Sequence, residues 1–521
     1  LTDCEFLPIS RTLFSTRMLI IFSSRNQLVI VTLNMTVLQS KVGFINEVKN
    51  KIMNSHNKII AFRDDSLGHD DAVGIAEKIK NGDLNPHSIT EDAIERAEQV
   101  NPHLNAIAVE DFDFALKRSK ESFSGIFQGV PTFIKDTDQV PGLPIYLGSR
   151  TLPGDISTKY SKTAKQVIAT GLNHLGTTTT PEFGLTGTTE SLRFGATRNP
   201  WNTNYSTGGS SGGSSALVAA GVIPIAHAND GAGSIRIPAS CCGLVGLKAS
   251  RGRIKDKEVP GYFPANILHD GVVTRTVRDT WAFHTSIEQN NPAKEYPPIG
   301  EISETFKSDL RIAVLTEDCH GNQSDDVLVE AVHDVAKKCE SLGHNIEMIS
   351  NPFYEKFDSD FWLLWTHLAF YLRYGGGKEF SSNFDATKLE QWPQYLVNHH
   401  WKNLHKLPIT FWRLRKFASD YEKLLEGFDV LLTPTLGTTP PKIGFFGPEV
   451  DGETHWHRIN EYLPFTKYQN ISGAPAITLP CSTDSEGLPI GIQFAGRLGE
   501  DRLLLELSKQ LEEASSWNSL A

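Results

Sequence analysis

The sequence predicts an α/β protein in which helices cover a mixed, mostly parallel central sheet. The main observation is that short apolar runs alternate with helical patterns along most of the chain, which favours layers of helices packed on a sheet. The second is composition, because 39% hydrophobic and 21% charged residues are ordinary for a globular protein. At 521 residues the chain is long enough for two or three domains or for one unusually large core.

The helical pattern becomes clear from Asp70 onward. Apolar residues recur at helical spacing through residues 72–79, and a second helix is predicted to begin at a Ser88 cap and to end at Asn101-Pro102. Short apolar runs then predict strands at 106–109, 132–135, 172–175, 311–315, 345–349, 428–434, 476–480 and 490–494. Helices are predicted near 113–120, 162–169, 216–221, 327–342 and 501–513.

The first 52 residues differ from the rest of the chain. Two apolar runs, 18–22 and 28–31, are each shorter than the roughly 20 residues that a membrane span needs. The start lacks the basic residues and the small-residue cleavage site of a signal peptide. Residues 1–52 are therefore interpreted as a poorly packed N-terminal extension or as an over-extended reading frame with its true start at Met35 or Met53. A membrane tether is the alternative.

Charge and cysteine content narrow the class of partner and the compartment. With 50 basic and 61 acidic residues, the net charge of −11 argues against a general attraction to nucleic acid or to anionic lipid. The expected partner is therefore small or neutral, without stable membrane association. The six cysteines lack Cys-x-x-Cys spacing and are typical of reduced thiols in a cytoplasmic protein. Neither they nor the adjacent His399 and His400 indicate a metal site.

The most informative segment lies between Gly208 and Pro238. It contains Gly-Gly-Ser-Ser-Gly-Gly at 208–213 and Asp-Gly-Ala-Gly-Ser-Ile-Arg-Ile-Pro at 230–238, so that Ser210 and Ser234 stand 24 positions apart in glycine-rich backbone. Nucleophilic acyl chemistry needs an exposed hydroxyl, a group that takes its proton, and backbone N–H groups that stabilise an oxyanion. Lys135 ends a predicted strand, and it is a candidate base because burial favours the neutral amine.

Three other interpretations of this segment fit less well. A flexible Gly/Ser linker is disfavoured because residues 216–221 follow at once and predict a buried helix. A phosphate-binding loop would end in Gly-Lys-Ser or Gly-Lys-Thr, and the nucleophile elbow Gly-x-Ser-x-Gly is absent at Ser234. His227 is a candidate base in a Ser–His arrangement.

These motifs resemble the amidase signature family of serine hydrolases. The Gly/Ser block, the block at 230–238 and Lys135 stand in the family's order, and similarity extends from about Asp65 to Glu513. Further matching segments are 176–184, 195–201, 246–248 and 470–476. The resemblance implies one large α/β/α domain over residues 53–521. Within it, the aromatic-rich helical region 353–412 would help to shape the substrate pocket.

The resemblance also implies a mechanism without a metal or other cofactor. Ser234 would attack the amide carbonyl, Ser210 would relay the proton, and Lys135 would act first as base and then as acid. The Gly209–Ser210 peptide would be cis. Backbone N–H groups would form the oxyanion hole, those of Gly231, Ala232, Gly233 and Ser234. Ser211 would support Lys135, and an ion pair between Asp230 and Arg236 would stiffen the loop. The family has no catalytic histidine at the position of His227, which is therefore interpreted as packed or hydrogen-bonded.

Residues 227–234 indicate a branch within the family. Their sequence, His-Ala-Asn-Asp-Gly-Ala-Gly-Ser, resembles broad amidases and the cyclic-amide and aryl-acylamide hydrolases, whereas glutamyl-tRNA amidotransferase A subunits typically show Ser-Asp-Thr-Gly-Gly-Ser. We therefore expect a free-standing amidase for a small-molecule amide, with a homodimer left open. The alternatives are such an A subunit and an inactive scaffold, which the presence of Lys135, Ser210 and Ser234 disfavours.

Overall fold

The computed structural model describes residues 17–24, 27–34, 57–255, 260–261, 263–302, 306–515, 517 and 520. The chain divides into two compact units, Leu1–His56 and Asn57–Ala521. In the first unit, the backbone of β1 (Arg17–Ser24) pairs antiparallel with that of β2 (Gln27–Asn34). The expectation that residues 1–52 pack poorly falls largely outside the described residues and stays a prediction.

An eight-stranded mixed sheet forms the centre of the second unit. Its spatial order is β10 (Ile225–Asp230), β12 (His269–Thr274), β11 (Val245–Lys248), β16 (Ala476–Thr483), β17 (Pro489–Ala495), β15 (Val430–Pro434), β13 (Arg311–Val314) and β14 (Asn345–Met348). The strands predicted in the second half of the chain are thereby confirmed. Helices flank this sheet, as the predicted α/β architecture requires.

A three-stranded sheet lies beside the large one. Its order is β3 (Ile107–Glu110), β5 (Asn173–Thr178) and β4 (Pro131–Lys135). Two side-chain hydrogen bonds join β4 to β10, from Thr132 Oγ1 to the Ile225 carbonyl oxygen at 2.9 Å and from the Lys135 N–H to His227 Nδ1 at 3.2 Å. The C-terminal end of β4 therefore lies next to β10. Two short ladders complete the strands: β6 (Glu190–Ser191) with β7 (Gly195–Ala196), and β8 (Arg198–Asn199) with β9 (Asn202–Ser206).

The mixed character of the large sheet is confirmed, but its predicted excess of parallel pairs is not found. Strand β13 pairs in parallel with β14 and β15, whereas the other five pairings are antiparallel. The reason is visible at β10 and β11, which a helix separates in sequence but which both pair with β12. Helix–strand alternation indicates a crossover between two strands, and it does not reveal which later strand is inserted between them.

The helices of the described residues include those predicted from the sequence and others, such as Arg236–Cys242 and Val277–Asn290, that were not predicted. Their bounds are α1 (Ala72–Asn81), α2 (Pro86–Leu104), α3 (Phe112–Arg118), α4 (Lys162–Ala169), α5 (Gly212–Ala219), α6 (Arg236–Cys242), α7 (Val277–Asn290), α8 (Asp326–Ser341), α9 (Phe357–Glu379), α10 (Gln391–Asn403), α11 (Leu407–Leu424), α12 (Gly452–Tyr462), α13 (Lys467–Ser472) and α14 (Asp501–Ala514). No helix in this part of the chain is both long and apolar enough to cross a membrane.

The predicted bounds of α2 are wrong at both ends. The cap is Asn85, whose side chain accepts a hydrogen bond from the His87 N–H, and Pro86 occupies the first turn, where its missing donor costs nothing. At the other end the helix continues through Pro102 to Leu104. Asn101 Oδ1 accepts hydrogen bonds from the backbone N–H groups of Ala106 and Ile107, which ties the last turn to the strand that follows it.

Two hydrophobic cores lie on opposite faces of the large sheet. Alternate residues of β13 and β15 show this, since Ile312 and Leu432 belong to one core and Ala313 and Leu431 to the other. Buried residues of α7, α8 and α14 complete the first core, and those of α6, α9 and α11 contribute to the second. The result is the three-layer α/β/α arrangement, because each side of a strand faces a different layer.

Candidate active site

The Gly/Ser block is the tightly packed start of α5 and not a linker. Every residue from Gly212 to Ala219 is buried. A Cβ on Gly213 would lie 2.5 Å from the Ala106 carbonyl oxygen, and one on Gly209 would lie 2.5 Å from that of Thr188, so both positions require glycine. The Gly209–Ser210 peptide is cis. These approaches fix the backbone that carries Ser210 and Ser211.

Lys135 ends β4 and is completely buried. Its Nζ donates hydrogen bonds to Ser210 Oγ at 2.7 Å, to Ser211 Oγ at 2.9 Å and to Asn229 Oδ1 at 2.6 Å. Residues that are 75 and 76 positions from Lys135 in the chain thus meet at one amine. The structure brings together Lys135, Ser210 and Ser211 as the motifs suggested, while their catalytic roles stay predictions.

Asn229 was missed by the sequence analysis. Its Nδ2 donates to Thr137 Oγ1 at 2.8 Å, which fixes the amide so that Oδ1 points to Lys135 Nζ. The signal that would have found it is strand periodicity. Asn229 is two residues after His227 on β10, so both side chains are on the face that meets β4.

Ser234 lies in the turn between β10 and α6 and lines a cavity. Its side chain is buried apart from about 5% of its surface. Among the hydrogen bonds of the described residues, none joins its hydroxyl to Ser210. The two serines are nevertheless close to the same loop, because a Cβ on Gly184 would lie 3.0 Å from Ser210 Oγ and Gly184 lines the cavity with Ser234.

The predicted Asp230–Arg236 pair is present and completely buried, with Arg236 Nε 2.9 Å from Asp230 Oδ2. Burial by itself acts to raise the pKa of Asp230, but the charge and hydrogen bonds of Arg236, with a further hydrogen bond from Asn470, lower it to about 2. Arg236 also donates to Gln469, Gln493 and Asn470, and to the Thr466 carbonyl oxygen. This network holds both ends of the Ser234 turn.

One member of the predicted oxyanion hole is already bonded. The Gly233 N–H donates to Asp230 Oδ1 at 2.6 Å, so this donor is occupied in the described state and its oxyanion role stays a prediction. The Ile235 N–H donates to the other carboxylate oxygen at 3.2 Å. Asp230 thus shapes the turn by taking two of its backbone donors, and the candidate oxyanion donors narrow to Gly231, Ala232 and Ser234.

His227 is hydrogen-bonded within the fold, as interpreted from the sequence. It is completely buried, its Nδ1 accepts the Lys135 N–H, and its Nε2 lies 3.4 Å from Asp270 Oδ1. Its ring therefore forms a hydrogen bond with the backbone of Lys135 and not with a serine hydroxyl.

Two groups of described side chains bring ligand atoms within 4.8 Å of one another, as metal-binding groups do. One is Asp138, His227 and Asp270, and the other is Cys319, His320 and Asp358. In the first group Asp138 accepts from Ser161 at 2.6 Å and Asp270 from Thr163 at 2.8 Å. In the second, Lys467 Nζ lies 2.7 Å from Asp358, a cation where a metal ion would sit. Both groups of side chains therefore already bind donors from within the protein.

The cavity beside Ser234 is mostly apolar and aromatic. It is lined by Gly184, Leu185, Thr186, Gly187, Ala232, Ser234, Ile237, Trp362, Trp365, Ile459 and Leu463. The two tryptophans come from α9, within the region 353–412. Trp365 Nε1 donates to the Leu185 carbonyl oxygen at 3.1 Å, whereas Trp362 Nε1 has no hydrogen-bond partner among the described residues.

A second cavity behind Thr186 contains buried carboxyl groups. Glu182 accepts from Ser149 Oγ at 2.5 Å and from the Glu390 N–H at 2.8 Å. Burial raises the pKa of Glu182 to about 7. Burial, followed by the nearby charge of Glu182, raises the pKa of Glu390 to about 8. Glu390 therefore mostly keeps its proton at neutral pH, whereas Glu182 is about half protonated there.

Comparison with known proteins agrees with this site. The Amidase family model matches residues 88–505. The Mycobacterium tuberculosis protein named "Putative amidase AmiC" is 42% identical over 88% of this chain and 98% of its own length. The acylamidase of Rhodococcus erythropolis is 31% identical over 86% of this chain and 95% of its own. The solved structure of 6-aminohexanoate cyclic dimer hydrolase complexed with substrate has a TM-score of 0.78 at 32% identity, covering 86% of this chain and 97% of that chain. This chain therefore belongs to the amidase signature family and is a hydrolase of amide carbon–nitrogen bonds other than peptide bonds.

Proposed function

We propose that the chain hydrolyses a small amide through an acyl-enzyme formed on Ser234. Ser234 Oγ attacks the amide carbonyl carbon, Ser210 passes the serine proton to Lys135, and Lys135 returns it to the leaving amine. Water then attacks the ester and releases the carboxylate. The observation that carries this proposal is the set of three hydrogen bonds at Lys135 Nζ.

The hydrogen-bond directions support Lys135 as the base. Asn229 Oδ1 can only accept, and Ser211 Oγ gives its own proton to the Asn229 carbonyl oxygen at 3.2 Å, so it accepts from Lys135 as well. A neutral amine has two N–H donors and one lone pair. If both donors go to Asn229 and Ser211, the lone pair is available to the Ser210 hydroxyl 2.7 Å away.

The turn that carries Ser234 supports the oxyanion assignment. The N–H groups of Gly231, Ala232 and Ser234 are the proposed donors to the tetrahedral intermediate. Asp230 and Arg236 keep the turn in shape from behind, and Thr466 Oγ1 donates to the Ala232 carbonyl oxygen at 2.6 Å. One preorganised donor of this kind contributes roughly 3–4 kcal/mol to transition-state stabilisation.

The pocket favours an apolar or aromatic acyl group. The walls are formed mainly by aliphatic side chains and two tryptophans. The unpaired Trp362 N–H would donate to an acceptor on the substrate. Similar proteins are named for a cyclic amide dimer and for acylamides, which supports amides with uncharged groups around the scissile bond.

The remaining partner and compartment assignments belong to the same proposal. Residues 53–521 act as one free-standing amidase domain in the cytoplasm, which the five free cysteines among the described residues favour, either alone or as a homodimer. An amidotransferase A subunit would need further subunits and a tRNA-bound acceptor, and an inactive scaffold would not need the Lys135 cluster.

The test is hydrolysis of a panel of small amides and anilides, with labelling by a serine-directed fluorophosphonate. Turnover and labelling are expected in the wild type and in Ser359→Ala, which changes an exposed serine on α9. Both are expected to vanish in Ser234→Ala. If the folded wild type is neither labelled nor active, the scaffold interpretation replaces this proposal. Turnover of glutamine alone would favour the A subunit.

A further inference from the structure

The segment from Gln391 to Ser419 reverses the charge of the rest of the chain. It contains no aspartate or glutamate, and its five basic residues are Lys402, Lys406, Arg413, Arg415 and Lys416, in a protein whose net charge is −11. Arg413 is occupied by an ion pair with the buried Asp360. The other four basic side chains are exposed, with Lys416 also 3.4 Å from Asp420.

The same segment exposes large apolar side chains. The exposed fractions are 52% for Trp401, 42% for Leu404, 48% for Ile409 and 60% for Trp412, all within twelve residues. Single exposed apolar residues are common on protein surfaces, but contiguous groups mark interaction sites. We call these four residues, together with exposed Lys402, Lys406, Arg415 and Lys416, the basic aromatic face.

The exposed apolar residues lie on both sides of one short turn. Trp401 is in the last turn of α10 and Leu404 follows directly after that helix, whereas Ile409 and Trp412 are three residues apart at the start of α11 and therefore share a side of it. Residues 404–406 form the short turn that joins the helices. The opposite side of α11 is buried through Leu407, Leu414 and Phe417. Next to Trp401 lies Tyr374 of α9, which is 59% exposed.

We propose that the basic aromatic face docks the protein on an anionic membrane surface. Tryptophan is the side chain that favours the level of lipid headgroups, and long basic side chains reach anionic headgroups while their stems cover apolar surface. A second copy of this chain fits less well, because a two-fold contact through this face would set its basic residues against each other.

This proposal departs from the expectation drawn from net charge. Charges farther apart than about 8 Å are largely screened at physiological ionic strength, so a membrane responds to the local basic face and not to the total of −11. Each basic residue near an anionic bilayer strengthens binding by about 1 kcal/mol, which is about fivefold in affinity. The docked surface lies near the substrate cavity, since Trp365 and Tyr374 are nine residues apart on α9, about 13 Å along its axis.

The experiment is flotation of the full chain with vesicles of phosphatidylcholine alone or of phosphatidylcholine and phosphatidylglycerol at three to one. The protein is expected to float with the anionic vesicles and to lose at least about tenfold in binding when salt is raised to 0.5 M. Lys402→Glu with Lys406→Glu is expected to weaken binding about 20-fold or more. Ile409→Ser with Trp412→Ser is expected to weaken it to a similar extent, whereas the matched exposed pair Ile156→Ser with Met348→Ser is expected to bind like the wild type.

Hydrolysis of a soluble amide separates this proposal from the proposed function, because the face variants are expected to keep wild-type rates. Equal binding to neutral and anionic vesicles, or unchanged binding of both face variants, would overturn membrane docking. A wild-type dimer that becomes monomeric in Ile409→Ser with Trp412→Ser, without vesicle binding, would overturn it in favour of a contact between copies. Loss of amide hydrolysis alone would concern the active site and not this face.

Discussion

Two buried cations flank the Ser234 turn, and their surroundings differ. Arg236 is paired with the carboxylate of Asp230, and its remaining donors reach amide and carbonyl oxygens. Lys135 donates to two hydroxyl groups and one amide oxygen, which are all neutral. An arginine in an ion pair stays charged and holds its neighbours in place, whereas these three acceptors of Lys135 carry no charge. The comparison contrasts a rigid side of the site, at Arg236, with the proposed reactive side, at Lys135.

The largest effect is expected from removing the Lys135 amine. Lys135→Met keeps the length and apolar stem of the side chain but removes the proton acceptor. We expect the turnover number for an amide to fall by about 10³-fold or more, because proton transfer contributes 10²–10⁴-fold in enzymes of this kind. Steady-state kinetics check this, and a near-native thermal midpoint serves as the folding control. Activity within tenfold of the wild type would contradict the role of Lys135.

The next effect is expected on the rigid side, as a loss of stability. Asp230→Asn leaves Arg236 buried without its carboxylate, which costs about 3–5 kcal/mol of unfolding free energy for a buried pair. Urea titration measures this loss. The pKa of Asp230 is lowered to about 2, so the pair contributes fully above the unfolded value near 4 and is lost as pH falls toward 2. The difference between variant and wild type is therefore expected to shrink below pH 4, and a constant difference from pH 7 to pH 2 would contradict the assignment.

A smaller effect is expected where the two sides meet, at Asn229. Asn229→Asp places an anion beside Lys135 Nζ and favours the protonated amine, so the acid limb of the pH–rate profile is expected to move to higher pH. Asn229→Ala removes an acceptor without adding charge, and we expect a fall in turnover of about tenfold with little movement of that limb. Rates of fluorophosphonate labelling between pH 6 and pH 10 measure both. Identical pH profiles for the two variants would show that Asn229 does not orient Lys135.

The smallest effect is expected at Glu390, a buried carboxyl group that belongs to neither side of the candidate active site. Its pKa is raised to about 8, so the folded protein keeps a proton that the unfolded chain loses from about pH 4.5 upward. At Glu390 the wild type therefore loses stability between pH 4.5 and pH 8, and Glu390→Gln removes this contribution while that of Glu182 remains. We expect the variant to match the wild type at pH 5 and to gain about 1 kcal/mol, or about 2 °C in the thermal midpoint, at pH 8. An equal gain at both pH values would contradict the raised pKa.

Sequence patterns predicted most of the elements and the segments that supply the candidate catalytic residues. The block at 208–213, the block at 230–238 and the strand ending at Lys135 are local features, because each depends on a few neighbouring residues. Helix α4 has the predicted bounds, and α5 begins at the glycine-rich block as expected. These agreements arise because helical spacing, buried strands and tight glycine contacts leave their pattern in consecutive residues.

The sequence by itself therefore determined the family chemistry, the α/β class and the residues Lys135, Ser210 and Ser234. Only the tertiary structure decided that β12 enters between β10 and β11, that Asn229 meets Lys135, and that Asp230 takes the Gly233 donor. It also decided which aromatic residues of the 353–412 region are buried and which, like Trp401 and Trp412, are exposed. The physical reason is that these features depend on contacts between distant segments, and a local pattern of residue types contains no record of which distant segment lies beside it.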